Sequence, residues 1–152
     1  MEIERKFLVD RLPGKPPAEV WLIRQGYIAD DPVLRVRRRD DLCFFTYKDG
    51  GGMVHEEYER EITPEQFDKL WPLVRFTPIE KKRSLYPLAE GLTAELDKYS
   101  GDLAGLMTVE VEFASEEAAN AFHPPDWFGR EITQDRRYSN AALSKYGMPD
   151  LF

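Results

Sequence analysis

Charged side chains recur at every second position in several short stretches of this sequence. In the first stretch, Glu2, Glu4 and Lys6 alternate with Ile3 and Arg5. If these residues form a β-strand, the two carboxylates and the lysine project from one face. Carboxylates about 7 Å apart on one face repel each other unless a cation lies near them. The stretch therefore provides the donors for one side of a metal or anion site.

Later stretches repeat the pattern, and each carries a single sign of charge. Polar residues also alternate with apolar ones in a sheet with one solvated face, so any one stretch alone fits a solvent-exposed strand. Solvated faces tend to mix signs, however, because like charges repel. Blocks of one sign on a shared surface therefore predict ligands of the opposite sign. The in-phase acids are Glu2, Glu4, Glu57, Glu59, Glu95, Asp97, Glu110 and Glu112, and the bases are Lys6, Arg35, Arg37, Lys48, Lys81 and Arg83.

The residue types in these blocks narrow the choice of ligands. Carboxylates select hard cations that prefer oxygen, so the acidic block predicts Mg²⁺ or Mn²⁺. Arginine contacts phosphate oxygens with two donors and lysine acts as a compact charge, so the basic block predicts a chain of phosphates. A sheet closed into a barrel, with its charged face inward, would hold both ligands at once.

Composition argues against several other classes of protein. The chain has 152 residues and a formal net charge of −7, which indicates one domain over residues 1–152 and argues against a nucleic-acid binder. It contains no long apolar run, so we expect no membrane span, and the single cysteine, Cys43, predicts a reducing cytoplasm. Because there are only two histidines, a structural zinc site is not expected.

The alternation of residue types predicts eight strands and three helices. Helices are expected after Thr63, after Ser115 and from Asp135 to Tyr146. Short turns join most neighbouring elements, which favours a meandering antiparallel sheet of the α+β class. Strands are expected over residues 1–10, 20–29, 33–39, 42–48, 53–62, 79–88, 92–99 and 107–113.

The N-terminal motif Glu2-x-Glu4-x-Lys6 resembles the signature of the CYTH superfamily, the triphosphate tunnel metalloenzymes. Five further pairs follow in that family's order: Arg35/Arg37, Glu57/Glu59, Lys81/Arg83, Glu95/Asp97 and Glu110/Glu112. Three segments are similar to its short bacterial inorganic triphosphatase branch: Gln25-Gly26-Tyr27, Trp127-Phe128-Gly129 and Asp135-Arg-Arg-Tyr-Ser-Asn140. The resemblance covers essentially the whole chain. It implies an eight-stranded antiparallel closed β-barrel, or tunnel, with a charged interior and helices packed outside.

The resemblance also implies an activity, the hydrolysis of a linear triphosphate with Mg²⁺ or Mn²⁺, and inorganic tripolyphosphate is the expected substrate. Catalytic roles are implied for Lys6, near the attacked phosphorus, and for Glu57 or Glu59, which would orient the attacking water. The implied metal ligands are Glu2, Glu4, Asp97, Glu110 and Glu112. The implied phosphate-binding residues are Lys6, Arg35, Arg37, Lys48, Lys81 and Arg83.

Other functions within and beyond this family remain open at this point. A class IV adenylate cyclase would need a pocket for adenine as well, and a thiamine or nucleoside triphosphatase would act on an organic triphosphate. A non-catalytic polyphosphate-binding module is a third alternative. We expect a monomer or homodimer with a small-molecule substrate and with no nucleic-acid or membrane partner.

Near strand ends, Glu95, Arg39 and Glu61 are expected at the surface, and Cys43 in the core.

Overall fold

A computed structural model describes residues 1–51 and 53–149, and a single antiparallel sheet dominates it. Three α-helices accompany the sheet in this part of the chain: α1 (Pro64–Leu70), α2 (Glu116–Ala121) and α3 (Asn140–Tyr146). The nine strands in the same residues are β1 (Glu2–Val9), β2 (Glu19–Asp30), β3 (Val33–Arg39), β4 (Leu42–Gly51), β5 (Val54–Ile62), β6 (Ile79–Pro87), β7 (Thr93–Tyr99), β8 (Met107–Glu112) and β9 (Phe128–Glu131).

The sheet closes on itself through its first strand. The strand order is β5-β4-β3-β2-β6-β7-β8-β1-β9, and β5 also pairs with β1. That closure uses two residue pairs, Glu2 with His55 and Ile3 with Val54. The far end of β1 pairs instead with β9, from Phe7 to Val9. The expected closed eight-stranded barrel is therefore confirmed, with one additional strand beside β1.

The ninth strand is a feature that the sequence pattern did not reveal. It spans four residues, too few for a period of two to stand out. Its glycine has a packing reason, since a Cβ atom at Gly129 would lie 2.7 Å from the carbonyl oxygen of Leu8. This close approach lets β9 lie against β1.

Helices cover two apolar areas on the outer face of the barrel. Val109, Val111 and Phe113 are buried in one cluster with Ala119 of α2. On the other side, Phe67 of α1 packs against a cluster that includes Cys43, which is a core residue as expected. Because neighbouring residues of a strand face opposite ways, this outer packing turns the charged positions inward.

The C-terminal segment differs from the single helix expected from Asp135. A 3₁₀ turn spans Arg136–Tyr138, and Ser139 then adopts an extended conformation that separates it from α3. The hydroxyl of Ser139 accepts a hydrogen bond from the Ala142 amide, which caps the new helix. Within the described part of the chain, no helix is long and apolar enough to cross a membrane.

Candidate active site

Cross-strand register gathers the predicted charged residues on the inner surface of the barrel. Residues directly opposite each other in an antiparallel pair project to the same side of the sheet. Glu4 pairs with Glu112, and Glu110 lies between Lys6 on one neighbouring strand and Glu95 on the other. The remaining matched pairs on this surface are Arg83 with Asp97, Arg35 with Thr46, Thr46 with Glu59, and Lys48 with Glu57.

The interior contains two adjoining cavities, and Glu4, Lys48 and Glu110 line both. We call the first, of about 200 Å³, the arginine chamber, because its wall includes four arginines. The second, of about 310 Å³, is the C-terminal chamber. The arginines of the first are Arg35, Arg37, Arg39 and Arg83. The wall of the second includes Lys6, Tyr27, His55, Ile132, Tyr138, Asn140 and Lys145.

Two glutamates and a histidine meet where β1 and β5 close the barrel. One ligand atom each from Glu2, Glu4 and His55 lies within 4.8 Å of the others, and we call this group the β1–β5 junction cluster. The His55 Nε2 atom is 2.5 Å from Glu2 Oε1 and 3.9 Å from Glu4 Oε1. Two carboxylates and an imidazole at this spacing fit the donor set of a divalent metal ion.

The electrostatics of this region show an excess of acid. Burial, together with the charge of Glu110, raises the pKa of Glu4 well above its usual range. Burial also raises the pKa of Glu112, with the charges of Glu2 and Glu110 adding to it. Glutamates that resist ionisation because of burial and one another are stabilised in their charged form by a bound cation.

Two lysines lie against this acidic region. Lys48 Nζ is 3.7 Å from Glu2 Oε1, and Lys6 Nζ is 3.6 Å from Glu110 Oε1. Lys6 Nζ also donates a hydrogen bond of 2.8 Å to the carbonyl oxygen of Tyr138. Burial would raise the pKa of Glu110, but the charges of Lys6 and Arg83 outweigh it and lower that pKa to about 2.

The arginines of β3 are held by neutral partners or by longer contacts to acids. Arg37 Nε donates to the amide oxygen of Gln25 at 2.8 Å, and Arg35 donates to the Thr46 hydroxyl at 3.2 Å. Burial, and then the charge of Arg35, lower the pKa of Arg37 to about 10. Among the described residues, Arg35 Nε is buried without a hydrogen-bond partner. Such orphaned cationic donors suit an anion in the chamber.

Glu57 and Glu59 continue the acidic wall along β5. Glu57 is 3.7 Å from Arg35, and Glu59 is 3.9 Å from the same guanidinium. Burial raises the pKa of Glu57 to about 7, and a hydrogen bond to Glu2 adds to the effect. The structure thus brings Glu57 next to the β1–β5 junction cluster and leaves Glu59 more exposed.

Four predicted residues form a tight salt-bridge group that we call the β6–β7 ion-pair cluster: Lys81, Arg83, Glu95 and Asp97. The Lys81 Nζ and the Arg83 guanidinium contact the carboxylate of Asp97 at 2.7–2.9 Å. Arg83 also reaches Glu95 at 2.7 Å. Both oxygens of Asp97 are engaged by cations in this arrangement, and its expected role as a metal ligand stays a prediction. Lys81 is likewise paired with Asp97, and its expected phosphate contact stays a prediction.

Two residues expected at the surface lie instead on the wall of the arginine chamber. Glu95 contacts Arg83, and Arg39 stacks on Trp21 with 4.0 Å between its guanidinium carbon and the ring centre. For these two the expectation was wrong, because both lie within paired strands, β7 and β3, whose inward face lines the chamber. Glu61 is exposed as expected.

His55 is the main residue of the site that the sequence reasoning missed. It stands two positions before Glu57 and four before Glu59, so the same parity that selected those glutamates also applies to it. The side chains of Gln25 and Thr46, which hold the arginines, were not expected as site residues either. Both side chains are neutral, so the pattern of charged residues did not select them.

The CYTH domain family matches residues 1–144. The chain belongs to this family. An inorganic triphosphatase from Nitrosomonas europaea is 47% identical over 146 residues, which cover 94% of this chain and 96% of that protein. An inorganic triphosphatase from Acetivibrio thermocellus is 37% identical, covering 95% of this chain and 93% of its own length.

Solved CYTH structures share the barrel. The crystal structure of an inorganic triphosphatase aligns with a TM-score of 0.73 at 43% identity, covering 99% of this chain and 97% of that one. A Hippeastrum protein described as a putative adenylyl cyclase with a dominant triphosphatase activity aligns at 0.67 over 79% of this chain and 83% of its own. With only 18% identity, that second likeness supports the fold alone.

Proposed function

We propose that this protein hydrolyses a linear triphosphate with a divalent metal ion, and that inorganic tripolyphosphate is its substrate, with pyrophosphate and phosphate as products. The observation that carries the proposal is the arginine chamber, where four arginines face glutamates across one interior cavity. A polyanion bridged to the acidic wall by a cation would neutralise both walls at once. The two inorganic triphosphatase relatives match nearly the full chain and support the same substrate.

The acidic side of the tunnel would hold the metal. Glu2, Glu4 and Glu112 are the proposed oxygen ligands, and Glu110 lies beside them. Mg²⁺ or Mn²⁺ fits a set dominated by carboxylates. Such an ion, when bound, neutralises phosphate oxygens and acidifies a bound water.

The basic side would hold the phosphates. Arg35 and Arg37 retain donors for oxygen atoms because their protein partners use only part of each guanidinium. Arg83 also faces the chamber, although its guanidinium already forms salt bridges with Glu95 and Asp97. We therefore assign the main phosphate contacts to the two arginines of β3, with Lys48 between the chambers.

Lys6, Glu57 and Glu59 are the proposed catalytic residues. The ammonium group of Lys6 is held by the Tyr138 carbonyl near Glu110, where it would stabilise charge on the phosphoryl group under attack. Glu57, with a pKa of about 7, is suited to accept a proton from an attacking water at neutral pH. Glu59 would orient the same water if Glu57 is protonated.

The C-terminal chamber favours one second candidate, an organic triphosphatase. Its wall includes Tyr27, Val33, Ile132 and Tyr138 beside the charged groups, so it has apolar surface next to the triphosphate channel. A nucleoside or thiamine group is larger than a phosphate and would need such a space.

Phosphate release with different substrates tests the proposal. Tripolyphosphate, ATP and thiamine triphosphate would each be supplied with Mg²⁺, with Mn²⁺ and with a chelator, and cyclic AMP would be measured in the ATP reaction. We expect fastest release from tripolyphosphate and none in chelator. Faster release from an organic triphosphate would transfer the assignment to the second candidate, and cyclic AMP would indicate a cyclase. Tight binding of tripolyphosphate without release would indicate a binding module.

A further inference from the structure

We propose that His55 is a direct ligand of the metal ion, so that the site combines one imidazole nitrogen with carboxylate oxygens. This inference rests on the proposed function only in requiring a divalent metal at the β1–β5 junction cluster. His55 Nε2 already lies within reach of both Glu2 and Glu4, at 2.5 and 3.9 Å from their nearest oxygens. An ion bound between these two carboxylates would therefore adjoin the imidazole.

The position of His55 is fixed by the closure of the barrel. It is the residue of β5 directly opposite Glu2, in one of the two residue pairs that join β5 to β1. Its side chain is only 5% exposed and lines the C-terminal chamber together with Glu4 and Glu110. This strand pair thus holds the imidazole in the tunnel rather than at the protein surface.

The surroundings of His55 are acidic. Glu2, Glu4 and Glu57 lie on the tunnel wall beside it, while Lys48 is 3.7 Å from Glu2 and Arg35 is 3.7 Å from Glu57. Replacing the contact between His55 and Glu2 with bonds from both to one metal ion would keep each group satisfied. It would also relieve the repulsion between the two carboxylates.

A nitrogen ligand changes which metal the site prefers. Mg²⁺ favours oxygen ligands and gives up its water reluctantly, whereas imidazole suits transition metals and Mn²⁺ accepts mixed sets. We therefore expect His55 to raise affinity for Mn²⁺ and Co²⁺ more than affinity for Mg²⁺. Removal of His55 should lower the affinity for Mn²⁺ by about tenfold or more and change that for Mg²⁺ less.

Pulsed electron paramagnetic resonance on the Mn²⁺-loaded protein detects the bond directly, because a coordinated histidine nitrogen couples to the electron spin of Mn²⁺. The chain has two histidines, His55 and His123, and His123 is exposed outside the tunnel, after α2. His123→Asn is therefore the matched control and leaves His55 as the remaining histidine. We expect nitrogen coupling in the wild type and in H123N, a change of its pattern on labelling histidine with ¹⁵N, and its loss in His55→Asn.

Each outcome of this measurement supports or overturns the role of His55 as a metal ligand. Absence of histidine coupling in H123N loaded with Mn²⁺ overturns the proposal, even if the His55→Asn variant fails to fold. Coupling that persists in a folded His55→Asn variant overturns it as well. Because this measurement needs no substrate, coupling without phosphate release would refute the proposed function alone. Metal-dependent phosphate release without coupling would refute only the role of His55.

Discussion

The β6–β7 ion-pair cluster and the β1–β5 junction cluster lie on the same inner surface, and both come from charged residues spaced two apart. In the first, the cations of β6 face the carboxylates of β7, and their contacts are 2.7–2.9 Å long. In the second, two glutamates lie beside each other and a histidine, and the Lys48 ammonium is 3.7 Å from Glu2. Like-charged groups that remain close after folding require a ligand, whereas paired ones do not. The junction cluster is therefore suited to binding a ligand, whereas the ion-pair cluster stabilises the fold.

The largest expected effect is at the junction cluster. Glu4→Gln keeps the shape of the side chain and removes its charge, so we expect the rate of tripolyphosphate hydrolysis to fall by about 10³-fold, with only partial rescue by added Mg²⁺. Glu56→Gln, on the exposed face of the neighbouring strand, is the control and should keep its activity. Equal rates of wild type and Glu4→Gln at saturating metal would show that Glu4 contributes only to metal affinity.

In the ion-pair cluster the expected effect is on stability. Asp97→Asn leaves Lys81 and Arg83 buried without their shared anion, so the free energy of unfolding should fall by about 3–5 kcal/mol. Denaturant titration measures this, while Mn²⁺ affinity should stay close to that of the wild type. A large loss of metal affinity in folded Asp97→Asn protein would instead support the expected role of Asp97 as a metal ligand.

The stability difference between wild type and Asp97→Asn should depend on pH, because the pKa of Asp97 is changed by folding. Burial opposes ionisation of Asp97, but the charges of Arg83 and Lys81 outweigh it and hold the pKa below its usual range. A carboxyl whose pKa is lowered on folding stabilises the protein above its unfolded pKa of about 4, and this contribution is lost as the pH falls below it. The stability gap between wild type and Asp97→Asn should therefore narrow in acid. A gap that widens in acid would contradict the ion-pair assignment.

Lys6 tests whether a cation beside the acidic region acts on the reaction. Lys6→Ala should lower kcat by about 10²-fold, because the ammonium would stabilise charge that grows in the transition state. Calorimetry with Ca²⁺ in place of Mg²⁺ should still detect tripolyphosphate binding to the variant. If binding is lost and kcat is kept, Lys6 only holds the substrate.

Arg37 should give the smallest effect, and mainly on substrate affinity. Its guanidinium is held by Gln25 rather than by a carboxylate, which leaves its charge available for a phosphate. Arg37→Ala should raise KM for tripolyphosphate by about tenfold with a smaller loss of kcat. Arg38→Ala, the neighbour on the opposite strand face, serves as control. A larger effect on kcat than on KM would place Arg37 at the reacting phosphate.

The spacing of charged residues at every second position was enough to predict the inner surface of the barrel. Side chains two apart on a strand share a face, so Glu2 with Glu4 and Arg35 with Arg37 were expected on one wall, and Val109 with Val111 on the other. The family motifs extended this to a closed barrel. The ninth strand, the break at Ser139 and the inward position of Arg39 were not predicted, because short elements and strand ends have too few residues to show a period.

The sequence by itself determined which side chains share a face, because that depends only on the alternation of the extended chain. Tertiary structure decided which of those side chains are neutralised, because the partner across a strand is set by register between distant segments. Asp97 meets Arg83 directly across β6 and β7, whereas Glu4 meets Glu112 across β1 and β8. His55 reaches Glu2 only because β5 closes the barrel against β1. Identical spacing therefore produced a supporting ion pair in one place and a candidate metal site in the other.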